Sequence, residues 1–254
     1  MRRFFIDPTT AEGDTACLSE TDSRHIRSVL RLKPGAPIIL FDGAGKEYTA
    51  RVTDIAQDRV SVSILDRRSC ASESPVHITI AQAFLKEKKM DTLIRSLTEL
   101  GINRVIPYFA HRSVPRPEGH RIDARAERWQ KIIRESLKQC RRSHAPEMIA
   151  AASYEEVIRL SAPCALKIAF WEKAVDPVPT SIFSPDPERG KQIFILLGPE
   201  GGLTEKEIET ATAAGFVTAT LGPRILRAET AALVACSLMQ YIFGDLGGQP
   251  WRPA

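Results

Sequence analysis

The continuous apolar run at residues 192–197, QIFILL, most constrains the fold. A strand that is apolar on both faces is typical of a parallel sheet covered by helices on both sides. A capping box formed by Thr204 and Glu207 predicts a helix directly after this strand, closed by Gly215. Residues 216–221, FVTATL, predict the next strand. Strands that alternate with helices in this way indicate an α/β domain with a mainly parallel sheet.

The same alternation extends back along the chain to residue 76. It predicts strands at residues 76–84, 104–109 and 165–170, and helices at residues 88–100, 121–140 and 229–243. The last helix is apolar on almost every side, which indicates either a core position or an interface with another chain.

The residues before about 70 instead predict short strands. The segment 37–55 carries an apolar run, a glycine-containing turn at 42–45 and a partly alternating segment, which together predict a hairpin. Residues 59–65, RVSVSIL, alternate again, so a small β-barrel or sheet is expected. The polar, serine-rich residues 66–75 end in proline and predict a linker.

Composition excludes several classes of protein. With 254 residues, 43% hydrophobic and 26% charged, the chain resembles an ordinary globular protein. No export signal is visible at the N-terminus, and no run of 18 apolar residues predicts a membrane span. Five scattered cysteines fit a reducing cytoplasm, and five dispersed histidines show no metal-ligand spacing, so no metal site is expected.

The net charge of +4 permits a polyanionic partner, and its distribution says more. Residues 111–142 hold eight arginines and two lysines against four acidic residues. Such a run can be simply a solvated helix face. The excess of arginine over lysine favours phosphate contacts, because a guanidinium matches phosphate oxygens in a bidentate manner.

Two glycine-containing loops follow strands that we expect to be neighbours. LGPEGGLT follows the strand at 192–197, and LGPRILRAET follows the strand at 216–221. Both should lie at the carboxyl edge of the sheet and face one site. Neither loop has the spacing of a standard phosphate-binding loop. A carboxylate at Glu200 inside the first turn should repel a pyrophosphate, so a ligand that is not strongly anionic is expected.

These loops closely resemble the paired C-terminal motifs of the ribosomal RNA small-subunit methyltransferase E family, in the SPOUT superfamily. The matching stretches are LLGPEGGLTEKEIE at 196–209 and LGPRILRAETA at 221–231. HIRSVLRLKPG and FDGAGKEYTA resemble the N-terminal PUA-like barrel of that family. KEKKMDTLIRSLTELGI and RWQKIIRESLKQCRRSHAPE resemble its segment after the first strand and its basic helix, so the likeness spans nearly the whole chain.

The resemblance implies a PUA-like RNA-binding β-barrel domain at residues 1–72 and an α/β SPOUT methyltransferase domain at residues 73–254. It also implies that the C-terminal segment forms a deep trefoil knot, which periodicity does not reveal because such threading is rare. The implied activity is methylation of uridine N3 in 16S rRNA of the small ribosomal subunit. The implied cofactor is S-adenosylmethionine, and the implied assembly is a homodimer.

The family's motifs also map its site residues onto this chain. Cofactor binding is carried over to Leu197, Gly198, Pro199, Glu200, Gly201, Gly202, Leu221, Gly222, Ile225, Leu226 and Thr230. RNA binding is assigned to Arg112, Arg128, Gln139, Arg142 and Arg224. The chain departs from the family pattern at Ser96 and Lys138, which puts the RNA contacts near them in doubt.

Catalytic roles are hypothesised for Arg227 and Glu229. Uracil N3 carries a proton and becomes a good nucleophile only when that proton leaves. Arg227 would stabilise the developing anion, and Glu229 or a water would accept the proton. The simpler alternatives are that Arg227 clamps a phosphate and that Glu229 is an acidic residue favoured at a helix start.

Other functions stay open on the sequence alone. The protein could be a ribosome-assembly factor that binds RNA without catalysis, with the glycine loops serving only as turns. It could hydrolyse a nucleotide, which the absent phosphate-loop lysine disfavours. A methyltransferase acting on tRNA or 23S rRNA is the nearest alternative.

Overall fold

The computed structural model describes residues 1–7, 11–57, 59–69, 72–86, 88–114, 116, 119–149, 151–178 and 192–247. The chain forms two compact units. The first comprises Met1–Glu73 and Arg134–Ala145, and the second comprises Ser74–Ile133 and Pro146–Ala254.

The first unit contains a six-stranded sheet of order β1-β4-β5-β6-β3-β2. Its strands are β1 (Arg2–Phe5), β2 (Ala11–Glu12), β3 (Thr15–Cys17), β4 (Pro37–Phe41), β5 (Lys46–Ile55) and β6 (Val60–Ser69). β1 pairs with β4 in parallel, and the other described pairings are antiparallel. Between β3 and β4 lie helix α1 (Glu20–Arg24) and a π-helical segment, His25–Leu30.

The predicted hairpin is confirmed by the pairing of β4 with β5 across the turn at 42–45. Asp42 shapes that turn, because its Oδ1 accepts hydrogen bonds from the Ala44 and Lys46 backbone N–H groups at 2.8 and 3.1 Å. The predicted linker at 66–75 is partly wrong. Residues 66–69 continue β6 and pair with residues 46–49 of β5, where Arg68 also forms an ion pair with Glu47 at 3.1 Å. Residues 70 and 71 lie outside the described residues.

The second unit contains a seven-stranded sheet in which every described pairing is parallel. Its main path is β10-β8-β7-β12-β11-β13, and β9 pairs with β8 beside this path. The strands are β7 (His77–Ala83), β8 (Arg104–Phe109), β9 (Glu147–Met148), β10 (Ala152–Ser153), β11 (Leu166–Phe170), β12 (Gln192–Leu197) and β13 (Val217–Ala219). The predicted parallel α/β domain is therefore confirmed.

The helices are α2 (Lys89–Glu99), α3 (His120–Cys140), α4 (Tyr154–Leu160), α5 (Glu205–Ala213) and α6 (Ala228–Phe243). The predicted capping box at the start of α5 is present, and Gly215 follows its last turn with a φ of +88°. α4 carries a second capping box, on Ser153 and Glu156, in addition to the predicted one. Residues 120–133 of α3 belong to the second unit and the later ones to the first.

One expectation about the sheet is wrong. The strands that precede the two glycine loops, β12 and β13, are not neighbours, because β11 lies between them and pairs with both. Local sequence patterns predict strands but not their order in a sheet. The insertion of β11 brings a third loop to the same edge.

Two further observations concern the described residues. None of their helices is long and apolar enough to cross a membrane. Nor do they include a group of three or more His, Cys, Asp or Glu side chains that could hold a metal ion.

Candidate functional site

Three strands of the second unit end at the same level. Leu197, the last residue of β12, is paired with Phe170 of β11, which is in turn paired with Ala219 of β13. The loops that follow these strands meet over the carboxyl edge, where parallel sheets bind ligands. They enclose a cavity of about 480 Å³, which lies within the range of roughly 300–1,000 Å³ seen for small-molecule sites.

Most of the predicted cofactor residues line this cavity. They are Leu197, Gly198, Pro199, Glu200, Gly201, Gly202, Leu221, Gly222, Ile225 and Leu226. Arg224, predicted to contact RNA, and Arg227, predicted to be catalytic, line it as well. Thr230 and Glu229 are described but do not line it.

The structure also adds lining residues that were not predicted from the sequence. They are Lys89, Phe170, Trp171, Glu172, Thr220, Pro223, Ala228 and Ala231. Phe170, Trp171 and Glu172 come from the end of β11, and Lys89 from the start of α2. Phe170 ends the strand predicted at 165–170, and Trp171 and Glu172 follow it, so their place at the carboxyl edge of a parallel sheet is the signal that could have indicated these three residues.

The first glycine loop is so tight that two of its positions require glycine. Gly202 has a φ of +71° and donates its N–H to the Pro199 carbonyl at 2.9 Å. A Cβ atom at Gly198 would lie 3.0 Å from Leu203 Cγ and 3.1 Å from Leu203 N. A side chain at either position would strain or open the turn, so backbone groups are left free to approach a ligand.

Two buried side chains fix the start of this loop by hydrogen bonds to its backbone carbonyl groups. Gln82 Nε2 donates to the Gly198 carbonyl at 2.9 Å, and the Tyr108 hydroxyl donates to the Leu197 carbonyl at 3.0 Å. Burial raises the pKa of the Tyr108 phenol well above its ordinary value, with smaller contributions from Tyr154 and Glu207. Tyr108 therefore stays a neutral donor and fixes the end of β12.

Arg112 lies against the other side of the loop. Its Nη1 donates to the Gly201 carbonyl at 3.0 Å, and a Cβ at Gly201 would lie 3.2 Å from Arg112 Cβ. The neighbouring His111 N–H donates to Glu207 Oε1 at 2.8 Å, which anchors this segment to the start of α5. Arg112, predicted to contact RNA, thus supports a loop of the cavity.

The sequence predicts that the Glu200 carboxylate repels a phosphate, but in the structure this carboxylate is paired with hydrogen-bond donors. Its Oε1 accepts hydrogen bonds from the Lys86 N–H at 3.0 Å and from Lys89 Nζ at 3.2 Å. Burial raises the pKa of Glu200, but these donors outweigh burial and the net pKa is lowered. Repulsion by an unpaired Glu200 is therefore not a valid reason to exclude a phosphate, because Lys89 compensates its charge.

Lys89 also reaches the start of α6. Its Nζ lies 3.6 Å from Oε2 of Glu229, and that oxygen is buried without a hydrogen-bond partner among the described residues. The hydrogen bond to Glu200 raises the pKa of Lys89, and the charges of Glu200 and Glu229 add to this effect against partial desolvation. A charged Lys89 thus links the first glycine loop to the first turn of α6.

The second glycine loop ends at the N-terminus of α6. Gly222 has a φ of +104°, and its N–H donates to Thr220 Oγ1 at 3.2 Å. Arg227 is the N-cap residue of α6, and its side chain does not cap the helix. Arg224, Arg227 and the positive end of the helix dipole together make this part of the cavity favourable for an anion.

The other three residues predicted to bind RNA differ in how far they are exposed. Arg128 is exposed and pairs with Asp91, and Gln139 is exposed near the end of α3. The side chain of Arg142 is only 4% exposed, and its Nη2 donates to Glu73 at 3.0 Å. Its assignment to RNA contact is therefore not supported, because a buried, paired guanidinium does not present its charge at the surface.

Comparison with known proteins agrees with this geometry. The family model of an RNA methyltransferase domain matches residues 72–240, and that of an RNA methyltransferase PUA domain matches residues 18–65. The chain is 32% identical over 247 residues to ribosomal RNA small subunit methyltransferase E of Bacillus subtilis, covering 95% of this chain and 96% of that protein. The chain belongs to the ribosomal RNA small-subunit methyltransferase E family.

Other members of the methyltransferase E family are similar to it as well. The protein of that name from Synechocystis is 30% identical, over 92% of this chain and 75% of its own length. A crystal structure of the methyltransferase E from Neisseria gonorrhoeae bound to S-adenosylmethionine is 33% identical, with a TM-score of 0.85 over 97% of this chain and 99% of that one. The fold is that of a SPOUT methyltransferase with an N-terminal PUA-like domain.

The residues of the cavity fit such a cofactor. Phe170, Trp171 and Leu197 supply apolar surface of the kind that holds an adenine ring. Backbone groups of both glycine loops supply donors and acceptors, and Gly198 and Gly202 sit where a Cβ would crowd the loop or meet Glu172.

Proposed function

We propose that this protein transfers a methyl group from S-adenosylmethionine to N3 of a uridine in 16S rRNA of the small ribosomal subunit. The observation that carries the proposal is that both glycine loops line one cavity at the carboxyl edge of the sheet, in a chain of the methyltransferase E family. A division into an RNA-binding domain at residues 1–72 and a catalytic domain at 73–254, the latter with a C-terminal knot, belongs to the same proposal. So does a cytoplasmic location, where its rRNA substrate would be.

The first glycine loop and the end of β11 would hold the cofactor, which supplies an activated methyl group on a sulfonium. The chain's own task is then to align the base and stabilise its anionic form. Arg227 lines the cavity at the N-terminus of α6, so its guanidinium and the helix dipole can stabilise negative charge on the uracil. Glu229, two residues further on, or a water would accept the N3 proton.

RNA recognition is assigned to exposed basic and polar residues. Arg112, Arg128, Gln139 and Arg224 stay candidates, and Arg224 is the one that lines the cavity. N3 lies on the Watson–Crick edge, so the target base must be unpaired or turned out of a helix. Binding through phosphates should weaken steeply with salt.

A homodimer is also part of the proposal. The outer face of α6 and the residues after it bear an apolar hollow of about 390 Å³ lined by Leu233, Val234, Ser237, Leu238, Tyr241 and Leu246. Tyr241 and Leu246 are 64% and 55% exposed in the isolated chain. These exposed apolar side chains support a contact with a second copy of the chain. Tyr241→Glu should shift the molar mass measured by light scattering from two chains to one, and a monomeric wild type would contradict the dimer.

Mass spectrometry of 16S rRNA from cells with and without this protein tests the activity. A single N3-methyluridine should be lost with the protein, return with the wild-type gene and fail to return with Arg227→Ala. Loss of a methyl group from tRNA or 23S rRNA would assign another substrate, and no loss from any RNA would favour an assembly factor without catalysis.

A further inference from the structure

The end of β11 forms a wall of the cavity that carries an acidic side chain. Glu172 follows Trp171 there, and both residues line the cavity. The Glu172 carboxylate lies against the first glycine loop, because a Cβ at Gly202 would be 2.2 Å from its Oε1. Absence of a side chain at Gly202 is thus what allows this carboxylate to lie next to the loop.

Two other carboxylates, one in the same cavity lining and one paired with the residue next to Glu172, have a lysine partner, while Arg224 and Arg227 are further cations of the lining. Lys173 Nζ pairs with Glu205 at 2.9 Å, and Lys89 Nζ pairs with Glu200 at 3.2 Å. Within the described parts of the chain, Glu172 itself forms no ion pair or hydrogen bond. Its charge is therefore less compensated than that of Glu200.

The two ligands of a methyl-transfer cycle differ by one unit of charge. S-adenosylmethionine carries a positive sulfonium, whereas S-adenosylhomocysteine carries a neutral thioether, and the rest of the two molecules is the same. A sphere of about 480 Å³ is roughly 10 Å across, so any charge inside the cavity lies near Glu172. A carboxylate on the wall attracts the extra charge of the donor and shifts the ratio of the two affinities toward it. Arg224 and Arg227 act in the opposite sense, but they are unchanged when only Glu172 is replaced.

Resting on the function proposed above, we propose that Glu172 is a specificity-determining residue that raises the affinity of the site for the cationic donor relative to the neutral product. Once the methyl group has left, the ligand loses the charge that Glu172 attracts. Glu172 would thereby help the site to release the product and take up a new donor.

Coulomb's law sets the size of the effect. For a unit charge roughly 5–10 Å away in a medium between water and a protein surface, the attraction corresponds to about a threefold to tenfold change in affinity. The ratio of the dissociation constants of the product and the donor should therefore fall by about threefold to tenfold in Glu172→Gln. Ionic strength screens this interaction, so the difference should shrink as salt is raised.

Isothermal titration calorimetry of the full-length protein with each ligand measures this ratio. Glu172→Asp keeps the charge and should keep the ratio. Glu209→Gln, on an exposed position of α5 outside the cavity lining, makes the same change in net charge and should leave the ratio unchanged. In sinefungin a carbon that bears a protonated amine replaces the methylated sulfur, so the positive charge is kept. Its affinity should change in Glu172→Gln in the same way as the affinity for the donor.

The possible results are distinct. A ratio that falls in Glu172→Gln but not in the two control variants supports the proposal. An unchanged ratio would overturn it, whether both affinities stay the same or both fall equally. An equal fall would indicate contact with the ribose that both ligands share, or a structural role. If the wild type binds neither ligand, the proposed function fails, which is a different result from either of these.

Discussion

Replacing Gly198 by alanine tests whether the first glycine loop is shaped for a ligand. The added Cβ would lie 3.0 Å from Leu203 Cγ, 3.1 Å from Leu203 N and 3.2 Å from the Gly202 carbonyl carbon. Two of these three atoms belong to the backbone of the same loop, so the loop itself must open by a few tenths of an ångström. No left-handed backbone conformation is involved at Gly198, so the effect comes from crowding alone.

Overpacking of this kind costs about 1–3 kcal/mol. If the bound state needs the closed loop, this cost appears as a loss of affinity of roughly fivefold to a hundredfold, since each ~1.4 kcal/mol is a factor of ten. Without a ligand, the loop of the Gly198→Ala variant can open and relieve the crowding. Its free energy of unfolding should therefore change less, also because alanine restricts the unfolded chain and offsets about 0.4–1 kcal/mol.

Gly215→Ala is the matched control. Gly215 follows α5 with a φ of +88°, and the nearest atom to an added Cβ is Lys167 Nζ at 3.9 Å. This change should cost about 1–2 kcal/mol of stability through the left-handed backbone, without affecting the cavity. Calorimetry with S-adenosylmethionine and urea unfolding should therefore separate the two variants. Retention of wild-type affinity in Gly198→Ala, within twofold, would refute the reasoning about the loop.

Three further predictions follow from the contacts of named side chains. Lys89→Met should weaken binding of S-adenosylmethionine severalfold in calorimetry, because the first glycine loop and the first turn of α6 lose the side chain that links Glu200 to Glu229. Lys89→Arg should restore most of the affinity, and equal defects in both variants would contradict this linking role. Arg227→Ala should lower turnover by about a hundredfold or more in a tritium-transfer assay while leaving cofactor affinity nearly unchanged; a parallel loss of both would make Arg227 a binding residue. Glu47→Ala should cost about 3–5 kcal/mol of stability in urea unfolding at pH 7, because the buried Glu47 pairs with Arg3; equal stability of the variant and the wild type would contradict this. Burial raises the pKa of Glu47, but Arg3, Ser143 and Arg68 together lower it by more, so the net pKa lies below its ordinary value. The contribution of Glu47 should therefore be full above the ordinary pKa of a glutamate and be lost as the pH falls through the lowered pKa.

Much of the second unit could be predicted from the sequence because its signals are local. The apolar run of β12, the capping box of α5 and the glycine after α5 are set by neighbouring residues, and the structure has all three. The expectation that both glycine loops face one site also holds, because it depends on the parallel direction of the strands. The direction of strands in such a sheet is easier to predict from the sequence than their order.

The part of the cavity lining that follows β11 could not be predicted, because strand order depends on contacts between distant segments. Nothing in residues 166–170 indicates that β11 lies between β12 and β13, so Trp171 and Glu172 were missed. Lys89 was missed for a similar reason. A lysine at a helix start has no sequence feature that reveals carboxylates from two distant segments beside it.

The basic segment shows the limit of counting charges. Its arginines suggested a phosphate-binding face, but several are held by the protein itself. Arg125 lies over the Phe84 ring at 5.9 Å, Arg128 pairs with Asp91, and Arg142 is buried against Glu73. Lys138, a departure from the family pattern, pairs with Asp22 at 2.8 Å within the first unit. Composition gives the number of cations but not which of them find acidic partners.

Calorimetric titration of the purified protein with S-adenosylmethionine tests the central claim most directly. A cavity closed by the two glycine loops predicts saturable binding of one ligand per chain, weakened about fivefold or more by Gly198→Ala and unaffected by Gly215→Ala. Absence of binding by the wild type, or binding that Gly198→Ala leaves intact, would mean that the loops do not hold this cofactor.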